Sequence, residues 1–371
     1  MSKIFILGGY GLTGKLLARH LLERSDAELI LGGRHLEKAQ TYTDQLNAEF
    51  AGSRVSAVFA DAADKQSLFK VLSGVDLLVV AAPTTHYAET VIRCALDARV
   101  DYLDVQLSAQ KLNLLKSLAP EIERANRCFI TEAGFHPGLP SAMVRYAASY
   151  FDRLDSALTA GYLNMGQGIP YSEAVDELME IFQNYQTEVF KNGKWSKAGT
   201  FEVHKVGFGG EIGLRQCYPM FFEELRDLPK MYPTLREVGF YISESHWLLD
   251  WIITPLVMVV LKIAPHAAIR PMGRLMWWGM QNLPKPPYLV LLKVEASGEK
   301  GGKPVKVEAS VSHPDGYELT AIPVVACLLQ YLDGTARRPG LWMMGHLVEP
   351  ARLFQDMKQM GIQDKLTITE L

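Results

Sequence analysis

The chain has 371 residues, 48% hydrophobic and 21% charged, which excludes a disordered polymer and allows two or three domains at ~150 residues each. Lys and Arg number 38 against 41 Asp and Glu, for a net charge of −3. There is no basic excess of the kind that tracking a phosphate backbone requires, so nucleic acid is not an expected partner. Cys94, Cys128, Cys217 and Cys327 form no C-x-x-C pair, which excludes a zinc ribbon or a thioredoxin motif. A disulfide scaffold is not expected in a chain able to bury a large core. Residues 1–9 carry no apolar signal-peptide core, so a cytoplasmic protein is expected.

Residues 3–7 form a short apolar run closed by Gly8 and Gly9, and residues 12–23 then place Leu16, Leu17, Leu21 and Leu22 at helical spacing. A strand at 28–31 precedes Gly32-Gly33-Arg34. Helix 36–50, strand 55–59, helix 65–72 and strand 77–82 follow. Next come helix 87–98, strand 102–105, helix 112–126 and strand 128–131. The continuous apolar run at 77–82 suits a strand covered on both faces. Six short strands alternating with helices predict an α/β fold, a Rossmann-type doubly wound parallel sheet over residues 1–133. After that the character changes. Residues 153–163 and 201–208 read as strands around a helix at 172–184. Residues 289–296 and 305–311 flank a polar Gly-rich loop and predict an antiparallel hairpin. Helices return at 321–332 and 350–360. The expected layout is a second, inserted α+β domain over 134–320, with 321–371 packing back on the first.

Gly9-Tyr10-Gly11-Leu12-Thr13-Gly14 fits G-x-G-x-x-G between a strand and a helix, the context that gives this pattern meaning. Gly9 is expected to permit the tight turn, Gly11 to let a pyrophosphate approach the backbone, and Gly14 to let helix and strand pack closely. The helix N-terminus supplies open N–H groups and partial positive charge. A site for NAD usually has an acidic residue ~20 residues further on, for the ribose 2′-OH. Here the segment reads Gly32-Gly33-Arg34-His35. Arg34 is suited to a 2′-phosphate through charge-assisted hydrogen bonds, with His35 or Lys38 assisting, so the expected cofactor is NADP. Asp61 is a candidate for the adenine amine and equally a helix-capping residue. Ala82 and Pro83, at the end of the fourth strand, are expected to face the nicotinamide ribose.

With Gly9 to Gly14, Gly33-Arg34, Tyr102-Leu103-Asp104 and Gly134-Phe135-His136-Pro137-Gly138-Leu139, the chain resembles the saccharopine dehydrogenase-like family. The tail from Ala321 through Pro339-Gly340 to Met360-Gly361-Ile362 is similar too. The resemblance spans residues 1–150 and 320–362. It implies a Rossmann domain, an α+β substrate domain that often dimerises, and pyridine-nucleotide redox chemistry. The commonest such chemistry interconverts an imine and a secondary amine of an amino acid; some relatives reduce enoyl groups in lipid assembly. One departure stands out. The Gly-x-Asp-Pro-Gly pattern of amino-acid-type members has His136 in place of its acid.

Candidate proton donors are His136, Tyr102 and Asp104, with His86 of lower weight. His136 leads because imidazole titrates near neutrality. The alternatives are a histidine that only holds a turn, a core tyrosine and an aspartate that holds loop N–H groups. No H-x-x-x-H pair occurs and no metal site is expected. Cys94 and Cys128 read as buried thiols. Residues 247–264 are unusually apolar, and Met272, Met276, Trp277, Trp278 and Met280 follow. Asp250, Pro255 and Lys262 interrupt a membrane span. The readings left open are a buried helix or homodimer interface, a peripheral membrane contact, and a pocket for an apolar substrate.

The expectation is therefore an NADP(H)-dependent oxidoreductase reducing or oxidising a C=N, C=C or C=O bond of a small or apolar metabolite. Arg215 and Lys205 are candidates for substrate carboxylates. The alternative is a non-catalytic NADPH-binding protein that docks a partner or membrane through residues 247–282.

Overall fold

A computed structural model describes residues 2–199 and 202–371. It divides into two compact units. The first holds the chain to Leu139 and Thr320–Met360; the second holds Pro140–Leu319 and Gly361–Leu371.

The first unit is built on β1 (Lys3–Leu7), β2 (Glu28–Gly33), β3 (Val55–Phe59), β4 (Leu77–Val80), β5 (Asp101–Asp104) and β6 (Cys128–Thr131). Strand Gly340–Met343 from the returning tail completes the sheet beside β6. Across the sheet the order is Gly340–Met343, β6, β5, β4, β1, β2, β3, with every pair parallel. Helices α1 (Leu12–Arg24), α2 (Leu36–Glu49), α3 (Lys65–Leu72), α4 (Ala88–Asp97) and α5 (Ala109–Arg124) connect the strands. The order reverses at β1, which lies between β2 and β4. Such a switch point opens a crevice at the carboxyl ends of the strands.

β4 reads Leu-Leu-Val-Val with no exposure, as a strand covered on both faces should. β5 is the exception. Its buried strand carries Asp101 and Asp104, and burying a carboxylate is costly unless it is paired. Asp101 accepts from the Tyr331 hydroxyl at 2.7 Å, Arg337 Nε at 3.0 Å and the Cys128 N–H at 3.0 Å. This carboxylate therefore anchors the returning tail, through helix Gly316–Leu332, to the sheet.

The second unit is a mixed sheet with a helical lobe. α6 (Leu139–Ala148) leads into β7 (Arg153–Asn164), and α7 (Glu173–Gln183) follows. The remaining strands are β8 (Glu188–Lys191), β9 (Lys194–Lys197), β10 (His204–Gly207), β11 (Leu214–Met220), β12 (Glu237–Glu244), β13 (Leu289–Lys300) and β14 (Lys303–His313). The order is β10, β11, β12, β7, β13, β14, Gln363–Glu370, with β8 and β9 branching from β12.

Three boundaries differ from expectation. The terminal strand Gln363–Glu370 pairs antiparallel with β14, so only the tail to Met360 returns to the first unit. The exposed edge of β14 decides this, since it offers eight residues of ladder to a strand with no buried face. The first unit also extends to Leu139 rather than 133. The hairpin loop shrinks to Gly301-Gly302, both with positive φ (58° and 77°), because a two-residue type I′ turn matches strand twist better than a long loop. Of the strand expected at 201–208, Phe201 lies outside the described residues and His204–Gly207 is a strand.

The apolar stretch is helical. A π-turn at Leu249–Ile253 runs into helix Thr254–Ile263, and helix Ile269–Asn282 follows. Their inner faces pack with α7 around Met179, Leu249, Val257, Leu261 and Met276. Among the described residues no helix is long and apolar enough to cross a membrane.

Candidate cofactor and substrate site

The glycine loop closes through its own backbone. Gly8, with φ of +87°, makes the tight turn: its N–H donates to Gly32 O at 2.7 Å and its carbonyl accepts from Gly11 N at 2.9 Å. This role, expected of Gly9, thus falls one residue earlier. Gly9 instead makes room for β2, since a Cβ there would meet Leu31 at 2.8 Å. Gly14 packs tightest, with a Cβ only 2.2 Å from Gly8 O. Gly11 differs in kind. A Cβ there would meet only Gly8 O, at 3.2 Å, and its other side is open. Gly11 is also the N-cap of α1, with no capping side chain and no acidic residue in the first turn. Open N–H groups, positive dipole and a bare Cα together suit a pyrophosphate. Leu12 is exposed and Thr13 half-buried beside this opening.

Tyr10 links this loop to the end of β2. Its hydroxyl accepts the His35 N–H at 3.1 Å, and its ring lies where a Cβ on Gly33 would be 2.5 Å from the hydroxyl oxygen. Arg34, between those residues, is exposed. No carboxylate stands in the segment Gly32 to His35. The residues present therefore fit a dinucleotide with a 2′-phosphate. Asp61 is half-buried; its carboxylate accepts from Ala63 N at 3.0 Å, and its own N–H donates to Ser67 Oγ at 3.2 Å. Those bonds make it a turn-holding residue; the helix cap expected of it falls instead to Asp64, which caps α3.

On the β4 side, Ala82 lies against Gly8. Pro83 and His86 are exposed beyond it. Gln106 Nε2 donates to Ala82 O at 2.7 Å and to Thr84 Oγ1 at 3.1 Å, which ties the loops after β4 and β5 together.

The three proposed proton donors are corrected by their surroundings. Tyr102 is 1% exposed and stacks on Phe129 with ring centroids 5.2 Å apart. Burial, with Asp104 beside it, holds its hydroxyl well above the usual phenol range, so it is a core residue. Asp104 is fully buried. It pairs with Lys111 Nζ at 2.5 Å and accepts from Thr131 Oγ1 at 2.8 Å and from the N–H groups of Gln106 and Glu132. With its oxygens engaged by these donors, it organises the crevice floor. Burial pushes His136 down to about 4, so at neutral pH it is an imidazole that can hydrogen-bond but does not carry a spare proton. Its ring packs edge-on against Phe135, 4.3 Å between centroids. Cys94 and Cys128 are buried and burial raises both thiols, as suits inert core residues.

Sequence reasoning missed Gly8, Gln106, Lys111 and Glu132. Lys111 lies in the first turn of α5 and is 1% exposed, which nothing in its local sequence signals. Glu132 is 2% exposed and adopts φ of +53°, a left-handed conformation uncommon for Glu, at the carboxyl end of β6.

In the second unit, Arg215 lies on β11 with its guanidinium 5.6 Å from the Tyr162 ring centroid, and Lys205 lies on the neighbouring strand β10. At the end of β12, Asp250 accepts the Glu244 N–H at 3.1 Å. Burial, and Asp250 nearby, push Glu244 up to about 8; burial raises Asp250 to about 6, against the pull of the Glu244 N–H and Arg215.

Comparison with known proteins places this geometry. Residues 4–129 match the family described as saccharopine dehydrogenase NADP binding domain. The carboxyaminopropylagmatine dehydrogenase of Synechocystis is 26% identical over 260 residues, covering 66% of this chain and 63% of that protein. The carboxynorspermidine synthase of Vibrio cholerae is 23% identical over 400 aligned positions, covering 95% and 94%. The chain thus matches less than two thirds of the first relative's length and nearly all of the second's. Among solved structures, the saccharopine dehydrogenase (L-Glu forming) of Saccharomyces cerevisiae shares the fold at 15% identity. Its TM-score is 0.68, with 99% of this chain and 100% of that chain covered. The cofactor of the first unit is NADP, and residues 4–129 are similar to the saccharopine dehydrogenase NADP binding domain.

Proposed function

We propose that this protein is an NADP(H)-dependent oxidoreductase that interconverts an imine and a secondary amine of a carboxyalkylated polyamine. The observation that carries the redox reading is the open face of Gly11 at the N-terminus of α1, beside the β1–β4 switch point. The substrate class is carried by two relatives whose names are those of enzymes making or oxidising carboxylated agmatine and norspermidine derivatives.

Bound NADPH supplies a hydride. The chain's own residues bind and orient. The α1 N-terminus holds the pyrophosphate, and Arg34 holds the 2′-phosphate on a loop braced by Tyr10. Ala82 and Pro83 border the nicotinamide ribose, with Gln106 fixing their loop. The Asp104–Lys111 pair keeps β5 and α5 in register beneath the crevice. His136 stands where amino-acid-type members carry an acid. As a neutral imidazole it offers a hydrogen bond without adding charge. In the second unit, Arg215 is suited to a carboxylate and Glu244 with Asp250 to an ammonium group, whereas Lys205 lies on the opposite face of the β10–β11 ladder and is not placed with Arg215.

The test is NADPH consumption against two panels, with NADH as control. One panel pairs 2-oxo acids or aldehydes with diamines, polyamines and amino acids; the other holds enoyl thioesters and apolar ketones. Turnover on the polyamine combinations supports the proposal. Turnover on the second panel alone replaces it with reduction of an apolar C=C or C=O bond. Tight NADPH binding with no turnover on either favours a non-catalytic NADPH-binding protein.

A further inference from the structure

The helical lobe of the second unit hides one side of its apolar sequence and displays the other. Helix Thr254–Ile263 and the π-turn before it bury Ile253, Val257 and Leu261. At 100° per residue, Ile252, Leu256, Val259 and Ile263 fall within a narrow stripe on the opposite side. All four are exposed, Ile263 by 78%. Trp247, Trp251 and Trp278 are exposed too, by 61%, 50% and 52%. A solitary exposed Leu needs no explanation; four aligned aliphatics with three open tryptophans do.

The charge of this lobe points to the occupant of the stripe. Every exposed charged residue from 247 to 287 is basic: Lys262, Arg270, Arg274 and Lys285. Asp250 is half-buried, with its carboxylate engaged by the Glu244 N–H. On the packed helix α7, Asp176, Glu177 and Glu180 are half-buried, and Asp176 lies 3.8 Å from Arg270. This contrasts with a whole chain of net charge −3. A second copy docking here about a two-fold axis would set cations against cations, which opposes association. An anionic lipid surface would instead complement them while taking the apolar stripe and the tryptophans into its interface. We propose that this lobe attaches the protein peripherally to anionic phospholipid bilayers, with Ile252, Leu256, Val259 and Ile263 inserted and the basic residues at headgroup level. The proposal does not rest on the substrate reading, and either can fail alone.

The test uses the full chain with phosphatidylcholine vesicles, with and without phosphatidylglycerol. Co-sedimentation with the anionic vesicles is expected, falling as salt is raised, with a blue shift of tryptophan emission as Trp247, Trp251 and Trp278 leave water. The variant Leu256→Glu/Val259→Glu is expected to abolish sedimentation. The variant Lys262→Glu/Arg274→Glu is expected to weaken it by about tenfold or more. Unchanged far-ultraviolet circular dichroism and an unchanged melting profile show that each variant remains folded. Absence of sedimentation by the unaltered chain overturns the proposal, as does full binding by both variants. So does a dimer in analytical ultracentrifugation that Leu256→Glu/Val259→Glu separates while no vesicle is bound, since the stripe would then be a self-interface.

Discussion

Gly14→Ala and Gly11→Ala should both weaken NADPH but only Gly14→Ala should lower stability, although both add one methyl group to the same loop. At Gly14 the new carbon would lie 2.2 Å from Gly8 O, 2.8 Å from Gly9 Cα and 2.9 Å from Gly8 C, all backbone atoms that cannot swing aside. The start of α1 must retreat by roughly 1 Å, an overpacking that costs ~1–3 kcal/mol. At 2–4 °C per kcal/mol for a unit of this size, melting should drop by ~2–12 °C. The same retreat moves the helix N–H groups off the pyrophosphate. Losing one charge-assisted hydrogen bond, ~1.5–3 kcal/mol, weakens NADPH by roughly 10–150-fold. At Gly11 the methyl meets one oxygen at 3.2 Å, so stability should hold to within ~1 kcal/mol while NADPH binding falls by a similar factor. Differential scanning calorimetry of each apo variant and NADPH titration by fluorescence separate the two effects. The packing argument is refuted if Gly14→Ala leaves melting unchanged. The anion-site argument is refuted if Gly11→Ala binds NADPH as the unaltered chain does.

Three further outcomes follow from the site. Arg34→Ala should weaken NADPH by roughly 10–150-fold and leave NADH within about twofold, because the 2′-phosphate that NADH lacks loses a charged partner; equal losses by calorimetric titration would remove the assignment. Lys111→Met strands the buried Asp104 carboxylate and should cost ~3–5 kcal/mol in urea unfolding, whereas Asp104→Asn/Lys111→Met should cost less than Lys111→Met by itself. His136 sits at about 4 in the folded chain against an ordinary 6.5, so the unfolded chain binds an extra proton between those values. Stability should therefore fall as pH drops from 6.5 towards 4, by up to about 3 kcal/mol, and His136→Gln should flatten that slope; an identical slope in urea titrations of both proteins would count against the burial of this imidazole.

Local sequence determines much of this protein. The alternation of short apolar runs with amphipathic helices can hardly satisfy its backbone except as a parallel sheet covered by helices, and residues 3–131 form one. The glycine loop is legible because its physics is local: a turn, a close approach and a helix start within seven residues. Arg34 is legible for the same reason, as the side chain that follows β2. What tertiary structure decides are the partners of groups far apart in the chain. Asp104 resembles a catalytic carboxylate until Thr131 and the buried Lys111 are seen to surround it. Tyr102 resembles a proton donor until the neighbouring strand β6 seals it against Phe129. The terminal strand has no buried face of its own, so only the free edge of β14 could assign it to the second unit. The apolar run at 247–264 carries the signature of a helix, but which of its residues face the core and which face water depends on where α7 packs. Periodicity reports which residues share a face; only the fold supplies what that face meets.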